Sequence, residues 1–177
     1  MISGPSGAGK GTVVREALSR RPDIELSVSA TTRPARPGER QGVDYDFVSV
    51  PEFLALKDGG GLLEWAEVYG NYYGTPRTPV EEAVRSGQDV LLELDIQGAQ
   101  AVKRAMPDAV LVFIEPPSLD DLTVRLRGRG TENPASLSRR IKAAYEEVRR
   151  KGVYDHIVVN DDVHKAADEL LRILESK

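Results

Sequence analysis

An α/β protein with a parallel sheet flanked by helices and one inserted subdomain is predicted by three observations. Apolar runs rich in Val, Ile and Leu alternate with segments of helical periodicity. Two of those runs, Val90-Leu91-Leu92-Glu93-Leu94 and Val110-Leu111-Val112-Phe113-Ile114, are apolar nearly throughout, as strands covered on both faces are. A glycine-rich loop opens the first helix.

The elements follow in order. The first strand has only Met1, Ile2 and Ser3 to draw on and is expected to be truncated or very short. Helical spacing of apolar residues covers 10–21, and a strand is expected at 25–32. Between Arg33 and Gly87 the alternation breaks into short strands at 45–49, 62–68 and 71–74, with Gly-rich turns and a short helix near 51–57, the mark of an inserted subdomain. The main pattern then resumes with strands at 89–95, 109–115 and 156–160 and helices at 97–106, 118–127, 134–151 and 163–175. The polar segment 128–133, lying between two helices, is a candidate second insertion.

Composition narrows the function classes. At 177 residues, a single chain can bury roughly 70% of its unfolded surface without staples. There is no cysteine, which excludes a disulfide framework, a thiolate metal site and a cysteine nucleophile, and only His156 and His164 are available for a histidine metal site. No apolar run is long enough to span a membrane and the first residues lack a signal-peptide pattern, so a cytoplasmic protein without a membrane partner is expected. A formal net charge of −4 argues against nucleic acid as a partner, yet arginines bunch at Arg33, Arg36, Arg40 and at Arg125, Arg127, Arg129, Arg139, Arg140. Clusters of that kind on an acidic chain point to a small anionic ligand. Both a monomer and a homo-oligomer are compatible with this composition.

Gly4-Pro5-Ser6-Gly7-Ala8-Gly9-Lys10 fits a phosphate-binding loop between a strand and a helix. Glycines let successive backbone N–H groups turn inward around a phosphate, the helix contributes its positive end, and Lys10 brings a cation to the β and γ oxygens. Gly11 follows the lysine where a Ser or Thr that contacts magnesium is usual, with Thr12 next. Either Thr12 takes over part of that contact or Mg²⁺ is held mainly by phosphate oxygens and water; the second is favoured, because Mg²⁺ takes few protein ligands.

The segment Ser27 to Glu39, with Thr31-Thr32-Arg33-Pro34-Ala35-Arg36-Pro37-Gly38-Glu39, then Gly42-Val43-Asp44-Tyr45-Asp46-Phe47, Glu64-Trp65-Ala66 and Gly70-Asn71-Tyr72-Tyr73-Gly74-Thr75, closely resembles the nucleotide-binding region of guanylate kinases. With the N-terminal loop, Asp95-Ile96-Gln97-Gly98 and Gly128-Arg129-Gly130-Thr131-Glu132, the resemblance spans essentially the whole chain. It implies a P-loop nucleoside monophosphate kinase fold, with core 1–32, 89–123 and 148–177, a GMP-binding subdomain 33–88 and a lid 124–147. It also implies reversible transfer of the γ-phosphoryl group of ATP to GMP or dGMP, with Mg²⁺ as cofactor and ATP as co-substrate. ATP would be bound by Gly4, Pro5, Ser6, Gly7, Ala8, Gly9, Lys10, Gly11, Thr12 and Asn160.

By the same resemblance Arg33, Arg36, Tyr45 and Tyr73 hold the GMP phosphate, and elementary chemistry agrees: two guanidinium forks and two neutral hydroxyl donors suit one phosphate. Glu64 matches the residue that reads guanine. A carboxylate accepts from guanine N1–H and N2–H together, whereas adenine presents a lone pair at N1. Ser29 and Thr75 correspond to hydroxyls around the base. Asp95, at the carboxyl end of a strand, has two readings, a magnesium-associated acid and a contact to the guanine amino group, of which the resemblance favours the second.

Lys10, Arg125, Arg129 and Arg140 match the residues that neutralise the transferring phosphates, while Arg127 and Arg139 read as solvated. Asn160 sits where the family contacts the adenine side of ATP; helix capping competes for it, but Asp161 or Asp162 would fill that role better. No nucleophilic side chain is required, because the GMP phosphate is already anionic. Closure of mobile subdomains would exclude water. Three rival readings weigh less. An adenylate-kinase-like enzyme would share Gly9-Lys10-Gly11-Thr12, but Glu64 and 71–75 count against it. A catalytically dead phosphopeptide scaffold typically has a damaged loop, whereas Lys10 is intact. A GTP-hydrolysing switch needs an Asn-Lys-x-Asp segment, and none is found.

Overall fold

In a computed structural model, residues 1–68, 70–127 and 134–176 are described, without the side chains of 134–137. The candidate insertion at 128–133, Arg129 included, lies outside the described residues. The chain divides into two compact units: 1–22 with 93–99 and 108–177, and 23–92 with 100–107.

The first unit is built on a parallel sheet of β1 (Ile2–Ser3), β8 (Val112–Glu115) and β9 (His156–Val159), in the order β1-β8-β9. An isolated parallel bridge joins Ile2 to Glu93, and Leu94 N–H donates to Ile2 O. Ile2, Phe113, Ile114 and Val158 are fully buried, so the central run of β8 is covered, whereas Ile157 and Val159 on the edge strand β9 are exposed. Helix α1 (Lys10–Arg20) starts directly from the glycine loop and packs on α7 (Val163–Glu175). Apolar spacing sets the inner face of α7, where Ala166, Ala167, Leu170 and Ile173 are buried, and the Asp162 carboxylate caps it by accepting from His164 and Lys165 N–H. Glu16, Arg20, His164 and Asp168 tie the exposed edge of the α1–α7 pair, and Arg20 holds the Glu16 carboxyl below its ordinary range. Helices α5 (Leu119–Arg127) and α6 (Pro134–Arg149) meet through Leu122, Leu126, Ala144 and Ile141.

The second unit holds two sheets. β2 (Glu25–Leu26) pairs parallel with β7 (Val90–Leu91). A four-stranded sheet runs β4 (Asp46–Phe47), β3 (Ala30–Thr31), β6 (Asn71–Pro76), β5 (Leu62–Val68), with a register shift between Leu62 and Glu64. The expected strand 25–32 is thus two strands in two sheets, and of 89–95 only Val90 and Leu91 form a ladder in this unit. Helix α2 (Val50–Asp58) begins with a capping box between Ser49 and Glu52 and lays Phe53 against β5 and β6. Helix α3 (Arg77–Arg85) is an addition to the expected elements. It has no side-chain cap, a weak local signal; Arg77 donates to the Gly60 and Leu62 carbonyls, and Val80 and Ala83 are buried. Helix α4 (Ile96–Ala105) has its first turn in the first unit and the rest in the second. Among the described residues no helix is long and apolar enough to cross a membrane.

Phe53 is fully buried and stacks on Tyr72 with ring centroids 5.4 Å apart. Phe53→Ala is expected to cost about 3–5 kcal/mol in urea-induced unfolding. Val124→Ala, at a site 67% exposed, should stay within about 0.5 kcal/mol. Equal small effects would mean that Phe53 does not anchor the second unit.

Candidate active site

The phosphate loop forms a cleft of about 290 Å³ lined by Pro5, Ser6, Gly7, Gly9, Lys10, Gly11, Thr12, Arg15 and Glu93. Two glycines are required by geometry. Gly4 has φ 146° and a Cβ there would lie 2.0 Å from Ile114 O; Gly9 has φ 88° and a Cβ would lie 2.4 Å from Asn160 Nδ2. A loop that turns its N–H groups inward turns carbonyls outward, and these are met by donors. Asn160 Nδ2 donates to Ala8 O at 2.7 Å in a buried bond, Arg125 Nη1 donates to the same carbonyl at 3.4 Å, and Arg125 Nη2 donates to Asn160 O at 3.1 Å. Lys10 Nζ donates to Gly4 O at 2.5 Å and to Pro5 O at 3.3 Å, and Arg140 Nη2 donates to Ser6 Oγ at 2.6 Å. Lys10, Arg125 and Arg140 therefore converge on the loop within one unit, while Arg127 and Arg139 are exposed.

Ser3 Oγ and Tyr154 OH are buried without a hydrogen bond. Burial pushes the Tyr154 hydroxyl up; the facing Ser3 hydroxyl opposes that, and Asp95 and Glu147 add to it. Burial likewise pushes the Glu147 carboxyl up, against the pull of Lys10.

Ser29, Arg33, Arg36, Tyr45, Glu64, Tyr73 and Thr75 all belong to the second unit. Thr75 is buried on β6, and its Oγ1 donates to Glu64 Oε1 on β5 at 2.7 Å, which orients the carboxylate. Arg33 is held over the Tyr45 ring at 5.4 Å, and Tyr45 meets Tyr73 edge-on at 6.1 Å. Ser29 lies one residue before β3 and its carbonyl accepts from Asp46 N–H. Arg36 is exposed. One unit thus carries a cation site for phosphates on a helix terminus, and the other carries arginines, tyrosines and an oriented carboxylate.

The guanylate kinase family model matches residues 1–177. The chain belongs to the guanylate kinase family. It is 52% identical over 174 residues to the guanylate kinase of Thermobifida fusca, covering 98% of this chain and 89% of that one. It is 49% identical over 176 residues to that of Aromatoleum aromaticum, covering 99% and 86%. The crystal structure of guanylate kinase from Anaplasma phagocytophilum superimposes with a TM-score of 0.80 at 39% identity, covering 99% of this chain and 82% of that one. The fold is therefore that of a P-loop nucleoside monophosphate kinase, and the activity is guanylate kinase activity, phosphoryl transfer between ATP and GMP.

Within this guanylate kinase fold Asp95 is in the unit of the phosphate loop, and its Oδ1 accepts from Gly98 N–H at 2.7 Å, capping α4. Asn160 is tied to the loop rather than to a helix end, which Asp162 caps. Sequence reasoning passed over Glu93, an exposed carboxylate in the loop cleft, 3.8 Å through Oε2 from the position a Cβ on Gly11 would take. The signal was present: a charged residue two before Asp95 inside an otherwise apolar strand run. It also passed over the loop-supporting role of Asn160, a long-range contact with no local pattern.

The donor set is compatible with Mg²⁺ on the terms the ion prefers. No group of three or more His, Asp or Glu forms a cage among the described residues, while Glu93 and the exposed Thr12 hydroxyl stand at the cleft. That suits an ion bound chiefly by phosphates and water.

Gly9→Ala is expected to destabilise the protein by about 1–3 kcal/mol through backbone strain and to weaken binding of a non-hydrolysable ATP analogue in calorimetry. Unchanged melting temperature together with unchanged affinity would remove the role given to the Gly9–Asn160 approach.

Proposed function

We propose that the phosphate loop, residues 4–12, binds the ATP phosphates and that Ser29, Arg33, Arg36, Tyr45, Glu64, Tyr73 and Thr75 bind GMP, with a GMP-binding subdomain at 33–88 and a lid at 124–147. The observation that carries the acceptor assignment is the Thr75 hydroxyl donating to the Glu64 carboxylate. That bond orients the carboxylate, and a carboxylate so held is the group that guanine N1–H and N2–H donate to in parallel. Asp95 is assigned to the guanine amino group by the family pattern alone, and Asn160 contributes to the ATP side by holding the loop.

The chemistry asks for positioning and charge neutralisation. A GMP phosphate oxygen attacks the γ-phosphorus in line, the bond to the ADP oxygen breaks, and no side chain forms a covalent bond. Loop N–H groups and Lys10 hold the β and γ oxygens, and Arg125 and Arg140 add positive charge beside the loop. Arg129 is assigned by the family pattern alone. Mg²⁺, held mainly by phosphates and water with Thr12 and Glu93 available at the cleft, would supply further charge neutralisation when bound. The acceptor would be GMP or dGMP. The enzyme would act in the cytoplasm on nucleotides, with no nucleic-acid partner.

Two experiments test this reading. ADP formation is measured with GMP, AMP, UMP or CMP as acceptor and with none; the expected result is a strong GMP signal in the wild type and a reduced preference for GMP over AMP in Glu64→Gln, by about 1–3 kcal/mol of discrimination. An unchanged preference would refute the base reader. Lys10→Ala is expected to abolish transfer while largely sparing GMP binding in calorimetry; loss of GMP binding alone would contradict the two-site layout.

A further inference from the structure

The loop between β3 and β4 folds back on its own carboxylate. Gly38, with φ 90°, lets the chain turn, Glu39 N–H donates to Arg36 O at 3.0 Å, and the Glu39 side chain returns over the turn. Arg33 Nη1 donates to Glu39 Oε2 at 3.0 Å and Nη2 to Oε1 at 2.9 Å, so the pair is end-on and bidentate. Oε2 also accepts from Arg36 N–H at 2.7 Å, and Arg33 Nη1 donates to Pro34 O at 2.7 Å. Both partners are largely buried, with side chains 12% and 20% exposed. Tyr45 and Phe47 pack on the same side of the guanidinium, 5.4 and 5.8 Å from their ring centres and 5.9 Å from each other. One carboxylate thereby fixes the side chain of the first arginine and the backbone of the second.

The donor count gives this contact a meaning beyond loop stability. A guanidinium has five N–H groups in one plane. The loop takes both hydrogens of Nη1 and one of Nη2. It leaves Nε–H and the second Nη2–H, which are parallel neighbours on the side edge and form the other fork an arginine can offer to two oxygens of a phosphate. The Tyr73 hydroxyl, near the same guanidinium, favours its charged form. A carboxylate that competed with phosphate would instead cover the side edge.

We propose that Glu39 is a positioning residue of the acceptor site. It holds Arg33 end-on and ties the Arg36 backbone, so that the phosphate of the nucleoside monophosphate meets a side-on fork already oriented before it arrives. The inference rests on the assignment of Arg33 and Arg36 to the acceptor phosphate. Ion pairing keeps Glu39 charged: Arg33 holds its carboxyl below the ordinary carboxylate range, and the Arg36 backbone adds to this. The gain is entropic, since an arginine immobilised in advance loses less freedom on binding.

The test compares GMP with guanosine, which has the base and sugar but no phosphate. In calorimetry Glu39→Gln is expected to weaken GMP binding by about tenfold, the scale of ordering one long side chain, and to leave guanosine binding unchanged. In the coupled assay the GMP KM should rise while the ATP KM holds. Unchanged GMP affinity overturns the proposal, and tighter GMP binding overturns it in favour of a competing carboxylate. Equal weakening of GMP and guanosine also overturns it, because it marks a collapsed subdomain rather than a lost phosphate contact. If wild-type protein itself binds GMP no better than guanosine, the acceptor-phosphate assignment fails, an outcome distinct from failure of Glu39 alone. A measurement on wild-type protein guards against a variant that does not fold. With ¹⁵N-arginine labelling, Arg33 Nε–H should give a restrained signal before GMP is added, and a freely averaged signal would overturn the proposal.

Discussion

The hydrogen bond from Asn160 Nδ2 to Ala8 O is the contact on which the phosphate loop depends. A loop can present consecutive N–H groups to an anion only if the carbonyls between them face elsewhere, and a buried carbonyl without a donor costs about 1–3 kcal/mol. Ala8 O is met by Asn160 and Arg125, Gly4 and Pro5 by Lys10, and Pro5 O also by Ala8 N–H. The loop shape is thereby satisfied from behind. Its glycines follow from the same constraint, because the approach of Asn160 to Gly9 and of Ile114 O to Gly4 leaves no room for a Cβ. The end of β9, 152 residues from Ala8, becomes part of the loop.

The second unit solves the opposite problem, the holding of a carboxylate rather than of carbonyls. Glu64 sits on a strand whose neighbour supplies Thr75, and the antiparallel pairing of Glu64 with Thr75 brings hydroxyl and carboxylate together by register. Gly74, beside this pair, is packed so closely by Glu64 O and Phe53 that the sheet and α2 meet over it. The register of β5 and β6 therefore sets the aim of the proposed base reader, and the Phe53 core sets the register.

Where local pattern and tertiary contact agree, the sequence was readable. β5 and α7 have the bounds their periodicity predicts, since β5 alternates against one partner and α7 buries a single stripe. The glycine loop was readable because its chemistry is written in consecutive residues. Other features depend on distant partners. The run 25–32 looks like one strand, but its two ends pair in different sheets, a fact no alternation encodes. Helix α3 lacks a side-chain cap, and its buried Val80 and Ala83 outweigh that weak local signal. Asn160 looks like a ligand or a cap, and only the fold brings it to Ala8. Glu93 was hidden by its apolar neighbours, though a charge inside such a run is itself a signal.

An acidic chain that acts on two anionic substrates must keep its positive charge where phosphates arrive. The surface arginines are answered by carboxylates: Arg20 by Glu16 and Asp168, Arg77 by Glu81, Arg149 by Glu146. Arg125 is treated differently. It rests on the carbonyls of Ala8 and Asn160, dipoles that fix its position without cancelling its charge. Arg33 lies between these cases, positioned by a full carboxylate that uses only its end-on edge. The two arginines are therefore held on different terms. Under the proposed assignments, Arg125 retains its charge beside the loop, where charge would develop during transfer, whereas Arg33 trades part of its charge for orientation at an acceptor group that only needs to be held in line.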